Sequence, residues 1–434
     1  MSAPEPDGMG TPRILVYSSL FPSAVAPNAG GFIRERMFRV ARRLPLVVVA
    51  PQAWSPFDWL IRLFRKEFRA PAPAYELMDG IEVHRPRFLS LPGVLKRFDG
   101  WLMGRCTLAC VQRLQSGFGA NVIDAHFGYP DGYAATWIGR RLGLPVTITL
   151  RGSKDQRLLG TDCAPALRAA LSSAAHLFAV SASLVEHVGR PLGQSPERFT
   201  LVGNGVDLTR FGPADRAEAR RRLDIPEDAS VLIGVGNLIE LKGFHRVIPL
   251  LPRLRERFPG LRYLIVGGAT AQGDPSGELR ALARAHGVED IVRLCGRQPQ
   301  DELRWYYSAA DVFVLATAYE GWANVFLEAM ACGLPVVSTR VGGNAEVVSA
   351  PQLGTLVEFW DPQAFAGALQ DALARPWDRE AIRAYARAND WERRVDQLVA
   401  VFQRLAAAAP APPSSSPGAP LMRHSQPDSQ GDPG

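Results

Sequence analysis

The chain has 434 residues, a formal net charge of +6 and a hydrophobic content of 47%. Its length exceeds what one hydrophobic core usually organises, so we expect two domains, and its composition excludes a predominantly disordered chain. No apolar run approaches the ~18 residues that cross a bilayer, and residues 1–12 contain no hydrophobic signal core. We therefore expect a cytoplasmic protein in which residues 1–12 are disordered.

Basic residues outnumber acidic ones by 49 to 43. Such an excess suits nucleic acid, an anionic membrane surface or a phosphorylated substrate. Because the basic residues are scattered and no zinc-finger or RNA-binding signature occurs, nucleic acid is disfavoured. The five cysteines show no paired metal-ligand spacing and are expected to be reduced thiols.

Short β-branched runs alternate with helical stretches along most of the chain, which predicts an α/β fold with parallel sheets. Two series of strands meet in the turn-rich segment 204–213, so the predicted domains are 13–205 and 206–378. A last helical stretch is predicted over 379–406, and the Pro- and Ser-rich residues 407–434 are expected to be disordered. The predicted strands are 14–18, 46–50, 122–125, 146–150, 177–180, 200–202, 231–235, 263–266, 292–294, 312–315 and 336–339.

Doubly wound sheets bind ligands at the carboxyl ends of their strands, so residues that follow the predicted strands are candidates. Gly30 and Gly31 follow the first strand and allow backbone amides to approach a phosphate, although an ordinary flexible loop has the same composition. His126 ends another strand, where it would project into the cleft and bond a sugar hydroxyl, and Asp131, which follows it, is a candidate on the acceptor side. Arg151 closes the next strand and either contacts an acceptor or is solvated.

Residues 54–69 carry apolar side chains at 57, 60, 61, 64 and 68, with Arg62, Arg65, Lys66 and Arg69 among them. This spacing predicts an amphipathic basic-aromatic helix. Such a helix either lies in a membrane interface or packs its apolar stripe on its own domain, and the sequence leaves both open. The first reading fits a polyprenyl-linked acceptor at the inner face of the membrane.

The stretch from Glu320 to Glu328 is the most informative in the chain, because it places two carboxylates eight positions apart across a predicted strand-to-helix turn. The helix is predicted over 323–332, and its first amides belong to Ala323, Asn324 and Val325. These amides and the helix dipole favour an anion such as a pyrophosphate. Two acceptors that flank a phosphate site suit a nucleotide-sugar, although two solvated surface glutamates have the same spacing.

Lys242 follows the strand predicted over 231–235 and begins a helix, where it is placed to pair with a leaving diphosphate. The chain contains no Asp-x-Asp, the usual carboxylate pair for a metal-bound nucleotide diphosphate.

Together these residues resemble the family 4 glycosyltransferases of the GT-B fold, over about residues 13–394. The most specific match is the Glu-x7-Glu segment followed by Ala329-Met-Ala-Cys-Gly-Leu-Pro-Val-Val337. Asn204-Gly-Val-Asp207, Lys242-Gly243 and Ala309-Ala-Asp311 also match in order and spacing. The stretch 124–132 is similar to family members that build bacterial exopolysaccharides and teichuronic acids. The resemblance implies two doubly wound parallel-sheet domains facing a cleft.

By this resemblance, Glu328 holds the donor ribose, Glu320 and the amides after Trp322 hold the donor sugar and phosphate, and Lys242 stabilises the diphosphate. His126 lies near the transferred sugar, and the loop of Gly30 and Gly31 covers the phosphates from the N-terminal, acceptor-side domain. The family retains the anomeric configuration and generally needs no metal, so the resemblance implies neither a metal nor another cofactor. One departure is that the family's usual Arg, five positions before the Lys, is Asn237 here, which can donate to a phosphate but carries no charge.

The expected function is transfer of a sugar from a UDP- or GDP-sugar to a saccharide acceptor in bacterial cell-surface polysaccharide synthesis. The acceptor is expected to be lipid-linked, with the enzyme peripheral on the inner face of the cell membrane. Two alternatives stay open, a nucleotide-sugar epimerase of the same fold and a non-catalytic nucleotide-sugar-binding subunit.

Overall fold

The computed structural model describes residues 11–27, 29–64, 68–270, 273–359 and 361–408, which form two helix-covered parallel sheets. In the N-terminal half the strands are β1 (Ile14–Tyr17), β2 (Leu46–Val49), β3 (Gln52–Trp54), β4 (Tyr75–Met78), β5 (Ile81–His84), β6 (Arg87–Leu89), β7 (Val122–His126), β8 (Val146–Leu150), β9 (His176–Ala179) and β10 (Phe199–Leu201). Eight of them pair in the order β10-β9-β8-β7-β1-β2-β5-β4, and β3 pairs with β6 separately. Every pair in the eight-stranded sheet is parallel except β4 with β5.

The helices of this half cover both faces of the sheet, because its central strands are buried runs of β-branched and aliphatic residues that need cover on each side. They are α1 (Gly31–Ala41), α2 (Asp58–Arg62), α3 (Asp99–Gly117), α4 (Tyr133–Leu142), α5 (Ser153–Arg157), α6 (Ala164–Ser173) and α7 (Ala182–Leu184).

The second sheet begins after a linker that contains Asn204 and has six parallel strands. Its helices are α8 (Arg216–Arg222), α9 (Phe244–Val247), α10 (Leu251–Arg257), α11 (Ser276–Ala285), α12 (Leu303–Ala309), α13 (Asn324–Ala331), α14 (Asn344–Val347) and α15 (Pro362–Ala374). Its strands are β11 (Val231–Val235), β12 (Arg262–Val266), β13 (Val292–Gly296), β14 (Val312–Leu315), β15 (Val336–Thr339) and β16 (Gly354–Val357). They lie in the order β13-β12-β11-β14-β15-β16, the order of dinucleotide-binding domains.

The last two helices, α16 (Arg379–Ala388) and α17 (Trp391–Ala408), join the two halves. Helix α16 packs against α13 of the second half. Helix α17 returns to the first sheet, where Val395, Leu398 and Phe402 enter the same core as Ile14 and Val16. The predicted stretch 379–406 is therefore helical in two pieces, and it lies on both halves. Among the described helices, none combines the length and apolar character that crossing a bilayer takes.

The prediction of one amphipathic helix over 54–69 is wrong at both ends of that stretch. Helix α2 covers Asp58–Arg62, strand β3 ends at Trp54, and residues 65–67 lie outside the described part of the chain. The guanidinium of Arg62 donates to the carbonyls of Phe68 at 2.9 Å and Arg69 at 2.7 Å, which turns the chain back on itself. The sequence pattern also missed β3, β4, β5, β6 and β16, which are three or four residues long.

Candidate active site

The two loops that carry Lys242 and Glu320 meet at the point where the strand order of the second sheet reverses. Lys242 lies after β11, Glu320 lies after β14, and these two strands are neighbours. Crossovers leave β11 and β14 in opposite directions, so a crevice opens between their carboxyl ends. The Lys242 Nζ donates to the Glu320 Oε1 at 2.5 Å across this crevice. Residues 78 positions apart in sequence thus form a partly buried ion pair.

Backbone contacts between these loops fix the pair. Leu241, next to Lys242, accepts hydrogen bonds through its carbonyl from the Thr317 hydroxyl at 3.0 Å and from the Ala318 amide at 2.8 Å. Gly243 has a φ of +75°, and a Cβ there would lie 1.9 Å from the carbonyl oxygen of Ala316. Gly243 is therefore required by the fold, because no other residue allows this close approach at a positive φ.

The second glutamate, Glu328, lies on α13 with its side chain partly buried. Its Oε2 accepts a hydrogen bond from the Tyr307 hydroxyl of α12 at 2.9 Å. Burial raises the pKa of Glu328 to about 7, although the Tyr307 hydrogen bond and the charge of Arg210 act in the opposite direction. Near neutral pH this carboxyl is therefore poised between its two protonation states.

The amino terminus of α13 lies between the two glutamates. The helix starts at Asn324 after Ala323, and no side chain of the described residues caps it. Helix termini leave their first amides without intrahelical partners, so the amides of Ala323, Asn324 and Val325 are available to an anion. The start of α13 thus lies four residues after Glu320, next to the crevice that holds the Lys242–Glu320 pair. Asn237 is exposed in the loop that follows β11, on the same edge of the sheet.

In the N-terminal half, the predicted glycine loop begins α1. Gly30 precedes the helix with a φ of +67°, and a Cβ there would lie 2.3 Å from the Leu20 carbonyl oxygen. A Cβ on Gly31 would meet nothing within 4 Å. The backbone conformation and the nearby Leu20 carbonyl therefore require glycine at position 30, whereas the space beside Gly31 is open.

His126 does not project into the cleft, contrary to the sequence prediction, because Arg151 lies against it and it is fully buried. The Arg151 Nε donates to the His126 Nδ1 at 3.1 Å. Burial, together with the positive charges of Arg151 and Arg36, lowers the pKa of His126 well below its usual value, so the imidazole is neutral. The Nδ1 accepts the Arg151 bond, which assigns the ring proton to Nε2, 3.5 Å from Asp124 Oδ2.

Arg151 is likewise buried rather than solvated. Its Nη1 donates to the Asn204 Oδ1 at 3.3 Å, and its guanidinium lies over the Phe32 ring at 5.2 Å. Arg36 of α1 reaches the same Asn204 oxygen at 3.1 Å. Burial lowers the pKa of Arg151 well below its usual range, and the nearby Arg36 charge lowers it further.

Asp131 is fully buried and accepts a hydrogen bond from the Ser19 amide. The Lys154 Nζ lies 3.6 Å from its second oxygen and 4.7 Å from the Phe127 ring centroid. Ser19 follows β1 and Asp131 follows β7, so this contact marks the reversal point of the first sheet. Asp131 and Arg151, the predicted acceptor-side residues, therefore both lie at the carboxyl edge of the first sheet.

The two halves are in contact across the cleft. The Asn204 Nδ2 donates to the Asn324 Oδ1 at 2.9 Å, and Glu346 accepts from the amides of Ala182 at 2.8 Å and Ser183 at 3.0 Å. The backbone of Gly321 approaches so closely that a Cβ there would lie 2.6 Å from the Arg151 carbonyl oxygen.

Sequence reasoning missed Arg36, Tyr307 and the linking role of Asn204. Arg36 is fully buried on a helix whose sequence shows nothing unusual, and it donates to the Val202 carbonyl at 2.6 Å. Tyr307 looks like any core aromatic. Asn204 belongs to the family motif Asn204-Gly-Val-Asp207, and that match was the signal in the sequence that could have pointed to it. In the described residues, no group of three or more His, Cys, Asp or Glu side chains is arranged to hold a metal ion.

Comparisons with known proteins agree with this geometry. A sequence model described as Glycosyl transferases group 1 matches residues 215–389, and one described as Glycosyltransferase Family 4 matches residues 61–210. D-inositol 3-phosphate glycosyltransferase 1 of Catenulispora acidiphila is 32% identical over 359 residues, which cover 76% of this chain and 82% of that protein. The D-inositol 3-phosphate glycosyltransferase of Geodermatophilus obscurus is 40% identical over 228 residues. That match spans 50% of this chain and 49% of the relative, about half of its length.

A solved structure of Anabaena HepE in complex with UDP superimposes with a TM-score of 0.68 at 18% identity, over 90% of this chain and 100% of that one. The likeness shows the fold, an α/β architecture of the GT-B class. The chain belongs to the family 4 glycosyltransferases. The family and fold that the sequence motifs implied are confirmed.

Proposed function

We propose that this protein transfers a sugar from a nucleotide-sugar to a saccharide acceptor with retention of anomeric configuration. The observation that carries the proposal is the Lys242–Glu320 pair, which faces an uncapped helix start at the reversal point of the second sheet. A cation, free amides and a carboxylate in one crevice match the diphosphate and the hydroxyls of such a donor.

In the proposed reaction the bond between the sugar anomeric carbon and the diphosphate oxygen breaks as the acceptor oxygen bonds to the same face. The acceptor proton passes to the departing phosphate oxygen, so no side chain has to act as nucleophile. Lys242 and the α13 amides stabilise the charge that develops on the diphosphate. Glu320 accepts hydrogen bonds from the sugar and keeps Lys242 in place before the donor binds.

Glu328 is proposed to accept hydrogen bonds from the donor ribose. Its position on α13, in the helix whose amides hold the phosphates, fits that part of a donor. UDP-sugars are the first donors to test because solved neighbours such as HepE are complexed with UDP. GDP-sugars are the second donors to test, since Glu328 is proposed to bind the ribose, which UDP- and GDP-sugars share, and not the base.

The proposed acceptor is a saccharide carried on a polyprenyl lipid, used in bacterial cell-surface polysaccharide synthesis. A second candidate is a phosphorylated cyclitol, which the names of the relatives favour. The epimerase alternative differs in needing no acceptor. A non-catalytic subunit would bind the donor without turnover.

The test combines binding with turnover. A thermal-shift screen of UDP-, GDP- and ADP-sugars identifies the donor, since a ligand that binds the folded state stabilises it. Donor turnover is then measured with and without each acceptor class. We expect dependence on an acceptor; turnover without one would support the epimerase, and donor binding with no turnover would support the subunit.

Lys242→Ala is expected to lower turnover by about 100-fold or more, because a preorganised cation at a developing charge contributes on that order. Arg284→Ala is the matched control, since Arg284 forms an exposed ion pair with Glu289 in the same half. Steady-state rates with saturating donor provide the measurement. Near-normal activity of Lys242→Ala would remove Lys242 from the mechanism.

A further inference from the structure

Ten of the sixteen exposed large hydrophobic side chains in the described residues belong to two short segments of the N-terminal half. Trp59 is 63% and Phe64 is 86% exposed, in and after α2, and Leu95 is 55% exposed before α3. We call this set the aromatic face. It consists of Trp54, Phe57, Trp59, Leu60, Leu63, Phe64, Val94, Leu95, Phe98 and Trp101.

A polar network joins the two segments beneath the aromatic face. Ser90 is its centre, since its carbonyl accepts from the Arg69 Nη1 at 2.6 Å and its hydroxyl donates to the Asp99 Oδ2 at 2.9 Å. The Lys96 Nζ donates to the same hydroxyl at 2.9 Å. Asp58 also belongs to the network, 3.4 Å from Arg69. The segments are therefore held side by side.

The network leaves the surface cationic. Asp58 and Asp99 are the acidic side chains among the described residues of 54–69 and 90–101, and both are buried. Arg97 is exposed with its guanidinium 4.9 Å from the Phe98 ring centroid, and Lys96 is partly exposed. Apolar side chains with cations among them and carboxylates turned inward match the interface of an anionic bilayer.

The aromatic face is connected to the acceptor side of the cleft. The Tyr129 hydroxyl donates to the Lys96 carbonyl at 2.5 Å and accepts from the Gly100 amide at 3.1 Å. Tyr129 lies in the loop between His126 and Asp131, beyond the carboxyl end of β7. A surface bound at the aromatic face would therefore lie beside the segment that carries Asp131, the residue predicted to lie on the acceptor side.

We infer that the aromatic face docks on an anionic lipid bilayer and brings the acceptor side of the cleft to the membrane surface. The role of this docking in catalysis rests on the proposed transfer to a lipid-linked saccharide. The binding of the aromatic face to a bilayer does not depend on that proposal. Two copies of this face would oppose like charges, which disfavours a symmetric dimer. The chain's own residues 409–434 contain just two large apolar side chains, Leu421 and Met422, which are too few to cover the ten.

The experiment is flotation of the full-length protein with vesicles of phosphatidylglycerol and phosphatidylcholine, compared with phosphatidylcholine alone. We expect binding to the anionic vesicles that weakens with salt. Trp59→Ala/Phe64→Ala should lose about tenfold or more in binding, since two exposed aromatic anchors are removed. Arg97→Gln should lose about fivefold, the usual contribution of one basic side chain near an anionic surface.

Leu77→Ala is the matched control, because Leu77 is 63% exposed on β4, outside the aromatic face. Its vesicle binding should equal that of the wild type. All variants are compared with the wild type by thermal unfolding and by turnover with a water-soluble acceptor, neither of which should change. If the wild type binds anionic vesicles yet shows no turnover with any donor, the proposed function fails while the aromatic face stands.

Several results would overturn the inference. Wild-type protein that ignores anionic vesicles at low salt has no such surface. Equal binding of Trp59→Ala/Phe64→Ala would place the contact elsewhere. A dimer in sedimentation that Trp59→Ala/Phe64→Ala converts to a monomer would make the face a contact between copies. If vesicle binding appears only after removal of residues 409–434, that segment covers the aromatic face in the full-length protein.

Discussion

At the scale of single residues, the two glutamates that the sequence paired have different chemistry. Glu320 is held by Lys242 in an ion pair, whereas Glu328 accepts a hydrogen bond from the neutral phenol of Tyr307. The raised pKa of Glu328, about 7, follows from burial of its carboxyl. A carboxylate that accepts hydrogen bonds from ribose hydroxyls is most useful when ionised, so donor binding and ionisation of Glu328 should be coupled.

We therefore predict that affinity for the nucleotide-sugar rises with pH. A donor that favours the ionised form lowers the pKa of Glu328 below its free value of about 7. Affinity is then lost as the pH falls below about 7, by about tenfold between about pH 8 and 6. Calorimetric titrations across this range with Glu328→Gln as the control, whose affinity should not follow pH, check this. A flat wild-type profile would contradict the proposed ribose contact.

At the scale of elements, the linker residue Asn204 connects three structural units. Its oxygen accepts from Arg36 of α1 and from Arg151 after β8, and its amide nitrogen donates to Asn324 at the start of α13. Two buried guanidiniums would lose an acceptor without it, and a buried donor without a partner costs about 1–3 kcal/mol. The linker thus ties the acceptor side of the cleft to the helix start proposed to hold the donor phosphates.

Two substitutions at Asn204 separate these roles. Asn204→Ala removes both sets of contacts and should lower both the melting temperature and the donor affinity. Asn204→Asp keeps an acceptor for Arg36 and Arg151 but cannot donate to Asn324, so stability should be kept while donor affinity falls. Thermal unfolding and donor titration of both variants provide the readout. Equal donor affinity in Asn204→Asp and the wild type would show that the link to α13 is without effect.

At the scale of the whole molecule, the two halves touch at a point that tolerates no side chain. The Gly321 backbone lies against Arg151 and Gly152, and an added Cβ would come within 2.6 Å of both. Glu346 meanwhile caps the start of α7 in the other half. A closed cleft excludes water and positions the two substrates, which is the main contribution of the protein to such a reaction.

Gly321→Ala should hold the halves apart and lower turnover by about 10- to 100-fold, because small misplacements of reacting groups cost rates of that order. Binding of the donor to the second half should change less. Gly277→Ala is the control, since a Cβ there meets nothing within 4 Å. Turnover and donor titration measure the effect, and small-angle scattering should show a larger radius of gyration. A fully active Gly321→Ala would show that this contact is not part of the active state.

The sequence by itself determined the α/β class, the central strands and the family. Buried β-branched runs and glycine-bounded helix starts are local signals, so β11, β14 and α13 could be read from adjacent residues. The same signals placed Lys242, Glu320 and Glu328 on loops and a helix at strand ends. Short strands such as β4 and β6 contain too few residues for the alternation of apolar and polar side chains to be recognised.

Only the tertiary structure decided which of these residues meet and which are hidden. The Lys242–Glu320 pair depends on the order of strands in the sheet, which no local pattern encodes. The burial of His126 depends on Arg151 from a neighbouring strand, and the exposure of the aromatic face depends on what the fold leaves uncovered. Local pattern fixes the elements, because it acts through nearby residues. Contacts between distant segments fix the site, because packing alone brings them together.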